Sequence, residues 1–98
     1  MATFNVKNEQ IASKYEYADD NLKISGTFYK DKKTGELQKY DASVATADGS
    51  AFIGTVNAEF KDGDFVYSMP PTTKHNTELI WAALIEIEIE INKYGNED

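Results

Sequence analysis

Between Ile11 and Met69 apolar side chains return at every second position in a series of short stretches, each closed by a polar cluster. Such alternation lines one face of a strand and leaves the other to solvent. In Ile11 to Ala18, Ile11, Tyr15 and Tyr17 share a face, and Asp19-Asp20-Asn21 supplies turn chemistry. Leu22 to Lys30 is the clearest strand, with Leu22, Ile24, Gly26 and Phe28 on one side and Ser25, Thr27 and Tyr29 on the other. The polar run 31–36 ends it, and Gly35 offers the positive φ of a hairpin turn. Tyr40, Ala42 and Val44 mark a return strand over Leu37 to Ala47, which stops at Asp48-Gly49-Ser50. Ala51 to Phe60 follows, with Phe52, Gly54, Val56, Ala58 and Phe60 on one face and Ile53 opposite. Lys61-Asp62-Gly63-Asp64 turns into a last strand, Phe65 to Met69, and Pro70-Pro71 ends the sheet because neither residue donates to a ladder. A short additional strand at Thr3 to Val6 is compatible with the pattern.

The period changes after the prolines. Ile80, Leu84, Ile87, Ile91 and Tyr94 recur at spacings of four and three, which lines one face of a helix. Ile85, Ile87, Ile89 and Ile91 alternate with Glu86, Glu88 and Glu90 as a half-buried strand would, so periodicity alone leaves both readings open. No turn residue separates Ala82-Ala83-Leu84 from the isoleucines, and Gly95 follows Tyr94 as a stop. A helix over Leu79 to Tyr94 is therefore predicted, with Asn76 or Thr77 as its N-cap. The expected fold is a single α+β domain spanning residues 1–98. It is an antiparallel β-meander of five to six strands, strongly curved or a partial barrel, packed against one C-terminal amphipathic helix.

Composition narrows the chemistry. The chain of 98 residues has no cysteine, which excludes disulfides, thiolate nucleophiles and Cys-based metal sites. Its one histidine, His75, lies in the polar link before the helix, with no G-x-S-x-G elbow around any serine. Glu86 and Glu90 have the spacing of a solvated helix face, and Asp62 and Asp64 flank a turn glycine without the distal ligands of an EF-hand loop. No phosphate-cradling glycine loop is present. The sequence predicts a non-catalytic binding domain that takes no cofactor or metal.

The net charge is −7 and all 10 basic residues are lysine. Without arginine the bidentate contacts that read phosphate and guanine are missing, which disfavours direct nucleic-acid binding. No apolar run reaches membrane-spanning length, and no apolar leader follows Met1, so a cytoplasmic protein away from the membrane is expected. Residues 76–98 hold six acids against Lys93, a net of −5, while the rest is near balance.

Two groups of residues are candidates for function. Alternation is expected to send Tyr29 and Tyr40 to the sheet face away from the helix. Ile53 and Ile89 are also expected to face away from the core, and together these four form a candidate interaction surface. Tyr67, Trp81 and Glu88 meet where sheet and helix join, with Glu88 between Trp81 and Leu84 on the helical wheel, and form a candidate pocket. The first expectation is a protein-interaction module that self-associates as a homodimer. An acidic protein that occupies the basic nucleic-acid-binding surface of another protein, and a small-ligand carrier, are the alternatives.

Overall fold

The computed structural model describes residues 10–94. Five antiparallel strands, β1 (Gln10–Ala18), β2 (Leu22–Asp31), β3 (Leu37–Thr46), β4 (Phe52–Lys61) and β5 (Asp64–Ser68), form one sheet in sequence order, followed by the helix α1 (Lys74–Lys93). The expected meander and terminal helix are present. Among the described residues the sheet is not closed, and β1 and β5 are its edges. The expected strand at Thr3 to Val6 and the stop at Gly95 lie outside the described residues.

The turns follow from their residues. Asp62 (φ 51°) and Gly63 (φ 87°) both take positive φ between β4 and β5, the requirement of a two-residue type I′ hairpin. Asp31 and Asp48 each use a carboxylate oxygen to accept backbone N–H groups of the turns that follow them. These bonds favour the ionised form and hold both carboxyl groups below their ordinary range, Asp48 at about 2.

One face of the sheet is apolar: Leu22, Ile24, Phe28, Tyr40, Ala42, Val44, Val56 and Ala58 are buried on it beneath Ile80, Ala83, Leu84, Ile87 and Ile91 of the helix. Each fully buried Leu or Ile contributes about 1.5–3 kcal/mol. The continuous helix carries the ambiguous isoleucines, with Ile87 and Ile91 inward and Ile85 and Ile89 exposed, so the alternation is a by-product of a wide apolar arc. Tyr94, expected at the end of the buried stripe, is 60% exposed. The helix also begins five residues earlier than its apolar pattern indicates. Thr73 is the N-cap, its Oγ1 accepting from the Asn76 N–H at 3.1 Å, in place of Asn76 or Thr77. The first turn, Lys74 to Thr77, has no apolar residue and so is invisible to periodicity.

Besides a register shift between β2 and β3 at Tyr29 and Lys30, two local irregularities redirect side chains. Val44 pairs with Gly54 but Ala45 pairs with Phe52, so Ile53 is an extra residue in β4. A bulge of this kind re-aims the side chains around it. Ile53 is half-buried against the core and Phe52 is 68% exposed, the reverse of strict alternation. The second irregularity is at Gly26, opposite Tyr15 in β1. The Tyr15 hydroxyl reaches across it to donate to the Asp41 backbone carbonyl at 2.7 Å, while the Thr27 N–H donates to Asp41 Oδ1 at 3.1 Å. A Cβ on Gly26 would lie 2.0 Å from the Asp41 carbonyl oxygen.

Gly26→Ala is therefore expected to destabilise the fold by at least about 2 kcal/mol, through a backbone clash that cannot relax by side-chain rotation. Gly35→Ala, where nothing lies within 4 Å and only the φ of 75° is unfavourable, should lose only about 1 kcal/mol. Urea melts of both variants check the ranking.

Candidate functional site

A helix is about 10 Å across, whereas five strands about 4.8 Å apart span about 19 Å, so one helix leaves both flanks of the apolar face uncovered. Aromatic side chains occupy these flanks. On the β5 side the Tyr40 hydroxyl from β3 and the Tyr67 hydroxyl from β5 both donate to Glu88 Oε2 of the helix, each at 2.5 Å. Trp81, two turns earlier on α1, stands edge-on to the Tyr67 ring at 4.8 Å, and Phe65 packs between Tyr40 and Tyr67 at 6.2 Å from each. The residues expected to line a pocket, Tyr67, Trp81 and Glu88, are thus brought together by adjacent elements. Tyr67 is the link between them, its ring against Trp81 and its hydroxyl on Glu88.

The electrostatics of this cluster follow from its burial. The Tyr67 hydroxyl is pushed up to about 12, first by desolvation and then by the Glu88 carboxylate that accepts its proton's hydrogen bond. Tyr40, only 2% exposed, is raised further for the same reasons in the same order. Glu88 is only partly buried, so its stem packs at the margin of the core while one oxygen takes two charge-assisted bonds. The arrangement fastens the helix to two strands. Both tyrosines already donate to Glu88, which gives the cluster the character of a clamp.

The four residues expected to share an interaction surface are dispersed. Tyr29 lies on the face away from the helix, where the Lys39 ammonium sits 4.7 Å over its ring. Tyr40 does not join it. It pairs with Phe28 and has the parity of Ala42 and Val44, so it is buried beneath the helix. Ile53 turns inward at the bulge, and only Ile89 projects outward from α1, 43% exposed. The open sheet face is otherwise largely polar, carrying Ser25, Thr27, Ser43, Thr55 and Asn57 among lysines and acids.

The apolar surface that sequence reasoning assembled only in part is on the helix. Trp81, Ile85 and Ile89 follow one another at intervals of four and are 39%, 60% and 43% exposed. The spacing was available in the sequence, but the buried stripe beside it gives the stronger periodic signal. His75 is exposed in the first turn, and Glu90 lies 3.7 Å from Lys93 near the end of α1, both side chains exposed. Among the described residues no three acidic or imidazole groups gather as metal ligands would, and no helix is long and apolar enough to cross a membrane. No protein-family model, curated protein or solved structure matches the chain.

Glu88→Leu should destabilise the fold by about 2–4 kcal/mol, because it strands two tyrosine hydroxyls, whereas Tyr67→Phe should cost about 1–2 kcal/mol. In a double-mutant cycle the Tyr67→Phe effect should nearly vanish in the Glu88→Leu background. Stability should also depend on alkaline pH. Folded Tyr67 holds its proton to about 12 while the unfolded side chain loses it at 10.0, so its contribution is complete below pH 10 and lost as pH rises toward 12. Thermal melts from pH 8 to 12 should show this fall, and it should be shallower in Tyr40→Phe and Tyr67→Phe.

Proposed function

We propose that the chain is a non-catalytic protein-interaction module that self-associates through the outer face of its helix. The observation that carries this reading is the row Trp81, Ile85 and Ile89, three large apolar side chains on consecutive turns of one exposed face. Isolated exposed apolar residues are ordinary, but a contiguous row on one element marks a contact surface. A tryptophan braced by a neighbouring ring, as Trp81 is by Tyr67, is a pre-organised anchor that loses little freedom on binding.

A second copy is the occupant that the ends of the row favour. In an antiparallel pair related by a two-fold axis at Ile85, Ile85 faces its own copy and Trp81 faces Ile89 of the other chain. Glu78 at one end of the row then lies beside Lys93 at the other end of the partner's row. The two helices thus bring opposite charges together twice. The largely polar sheet face offers no comparable apolar continuity.

Light scattering across a concentration series should give a monomer–dimer equilibrium that persists in high salt, since most of the contact is apolar. Ile89→Asp should shift it to monomer without altering the melt of the monomer, because Ile89 is outside the core. An unchanged mass distribution for Ile89→Asp contradicts the assignment of this surface. Glu78→Lys should weaken the dimer, and the double variant Glu78→Lys/Lys93→Glu should restore it.

A further inference from the structure

The flank of the helix on the β1 side differs from the clamped one. Between β1 and the last turns of α1 lies a cleft of about 300 Å³, at the lower end of the range for small-molecule sites. Tyr15, Tyr17, Phe28 and Tyr94 supply its aromatic walls, with Ile87 and Ile91 below. The rings are set at angles to one another: Tyr15 and Phe28 are 6.2 Å apart and tilted by 45°, and Phe28 and Tyr94 are 5.6 Å apart and tilted by 76°. The Tyr15 hydroxyl is held by the Asp41 carbonyl and the Tyr17 hydroxyl by Asp19 Oδ2, at 2.7 and 2.8 Å. Both strand tyrosines are therefore fixed in place with their hydroxyls engaged outside the cleft.

Acids outnumber lysine in the lining of the cleft, Glu16 and Glu90 against Lys14. Glu86, one turn before Glu90, is near enough to Tyr17 to disfavour its ionisation. Lys14 and Glu16 enter the lining together from positions of β1 that alternate to the other sheet face, where both also border a groove with Ser25, Thr27 and Ser43. Lys30 sits in the neighbouring cavity beyond Phe28 and Tyr94, its ammonium donating to the Tyr94 carbonyl at 2.6 Å. Lys93 pairs with Glu90 at 3.7 Å, but both side chains are about two-thirds exposed and such a pair is readily exchanged.

Angled aromatic walls with a carboxylate at the rim attract a cation that is large, weakly hydrated and partly apolar. We infer that this cleft binds a small organic ammonium ion, quaternary or alkylated, with its methyl groups against Tyr17, Phe28 and Tyr94 and its charge balanced by Glu90. The inference does not depend on self-association, because the cleft and the row Trp81, Ile85 and Ile89 lie on different flanks of α1.

Titration of the full chain with choline, followed by NMR of the aromatic side chains, tests it. Saturable shifts of Tyr94, Tyr17 and Phe28 are expected, and 3,3-dimethylbutan-1-ol, the uncharged isostere of choline, should bind about ten-fold more weakly. Tyr94→Ala removes one exposed wall and should weaken choline about ten-fold, and Glu90→Gln should weaken choline while leaving the alcohol unchanged. Glu90 is exposed, so Glu90→Gln should melt as the parent does, while Tyr94→Ala, which loses the ring contact with Phe28, should melt slightly lower but remain folded. A short peptide carrying trimethyllysine distinguishes the source of the cation. Binding tighter than choline means a peptide-borne ammonium, and equal or weaker binding means a free one. Equal affinity for choline and the alcohol, shifts that map elsewhere, or no saturable shift at millimolar choline would each overturn the inference.

Discussion

A single helix about 10 Å wide must cover an apolar sheet face about 19 Å wide, and the placement of the aromatic residues follows from that mismatch. The central strip is closed by aliphatic packing of Ile80, Leu84, Ile87 and Ile91 on β2, β3 and β4. What remains on either side is too narrow for another element and too apolar to leave bare, and flat rings fill it. Toward β5, Tyr40, Phe65, Tyr67 and Trp81 close the gap, and Glu88 ties two of them to the helix. Toward β1, Tyr15, Tyr17, Phe28 and Tyr94 line the gap without closing it. The same constraint thus produces a clamp on one flank and a cleft on the other.

The helix bears the consequences on its remaining faces. Because its apolar arc exceeds what the sheet can bury, Ile85 and Ile89 are left in solvent beside Trp81. The acids that interrupt the isoleucines divide by direction: Glu88 turns to the sheet and accepts hydrogen bonds, while Glu86 and Glu90 turn toward β1 and add acids to that flank. One twenty-residue element therefore supplies the lid of the core, the fastening of that lid and the two surfaces proposed for recognition.

Much of the fold was legible because alternation and glycine-marked turns coincide in β2, β3 and β4. The strand tyrosines were harder. Tyr40 has the parity of Ala42 and Val44, so pattern places it in the core, but its hydroxyl argues for an exposed position until a buried acceptor is known. That acceptor, Glu88, is 48 residues away, and the helical wheel brought it only to the edge of the apolar face. Phe52 and Ile53 exchange places because of one extra residue in β4, a change of register that no local signal announces. The polar first turn from Lys74 escaped notice because a cap such as Thr73 depends on backbone geometry, not on apolar spacing. Tyr67, Trp81 and Glu88 were found together because spacing on one helix and proximity to the chain reversal both point to the same place.

The absence of cysteine makes the central functional claim open to a direct measurement. An antiparallel pair centred on Ile85 places that residue against its own copy, within reach of a disulfide. Ile85→Cys should form a covalent dimer under mild oxidation, and Thr55→Cys on the open sheet face should not. Dimer formation from both at equal rates, or from neither at concentrations where the parent chain is dimeric, would contradict pairing through the helix.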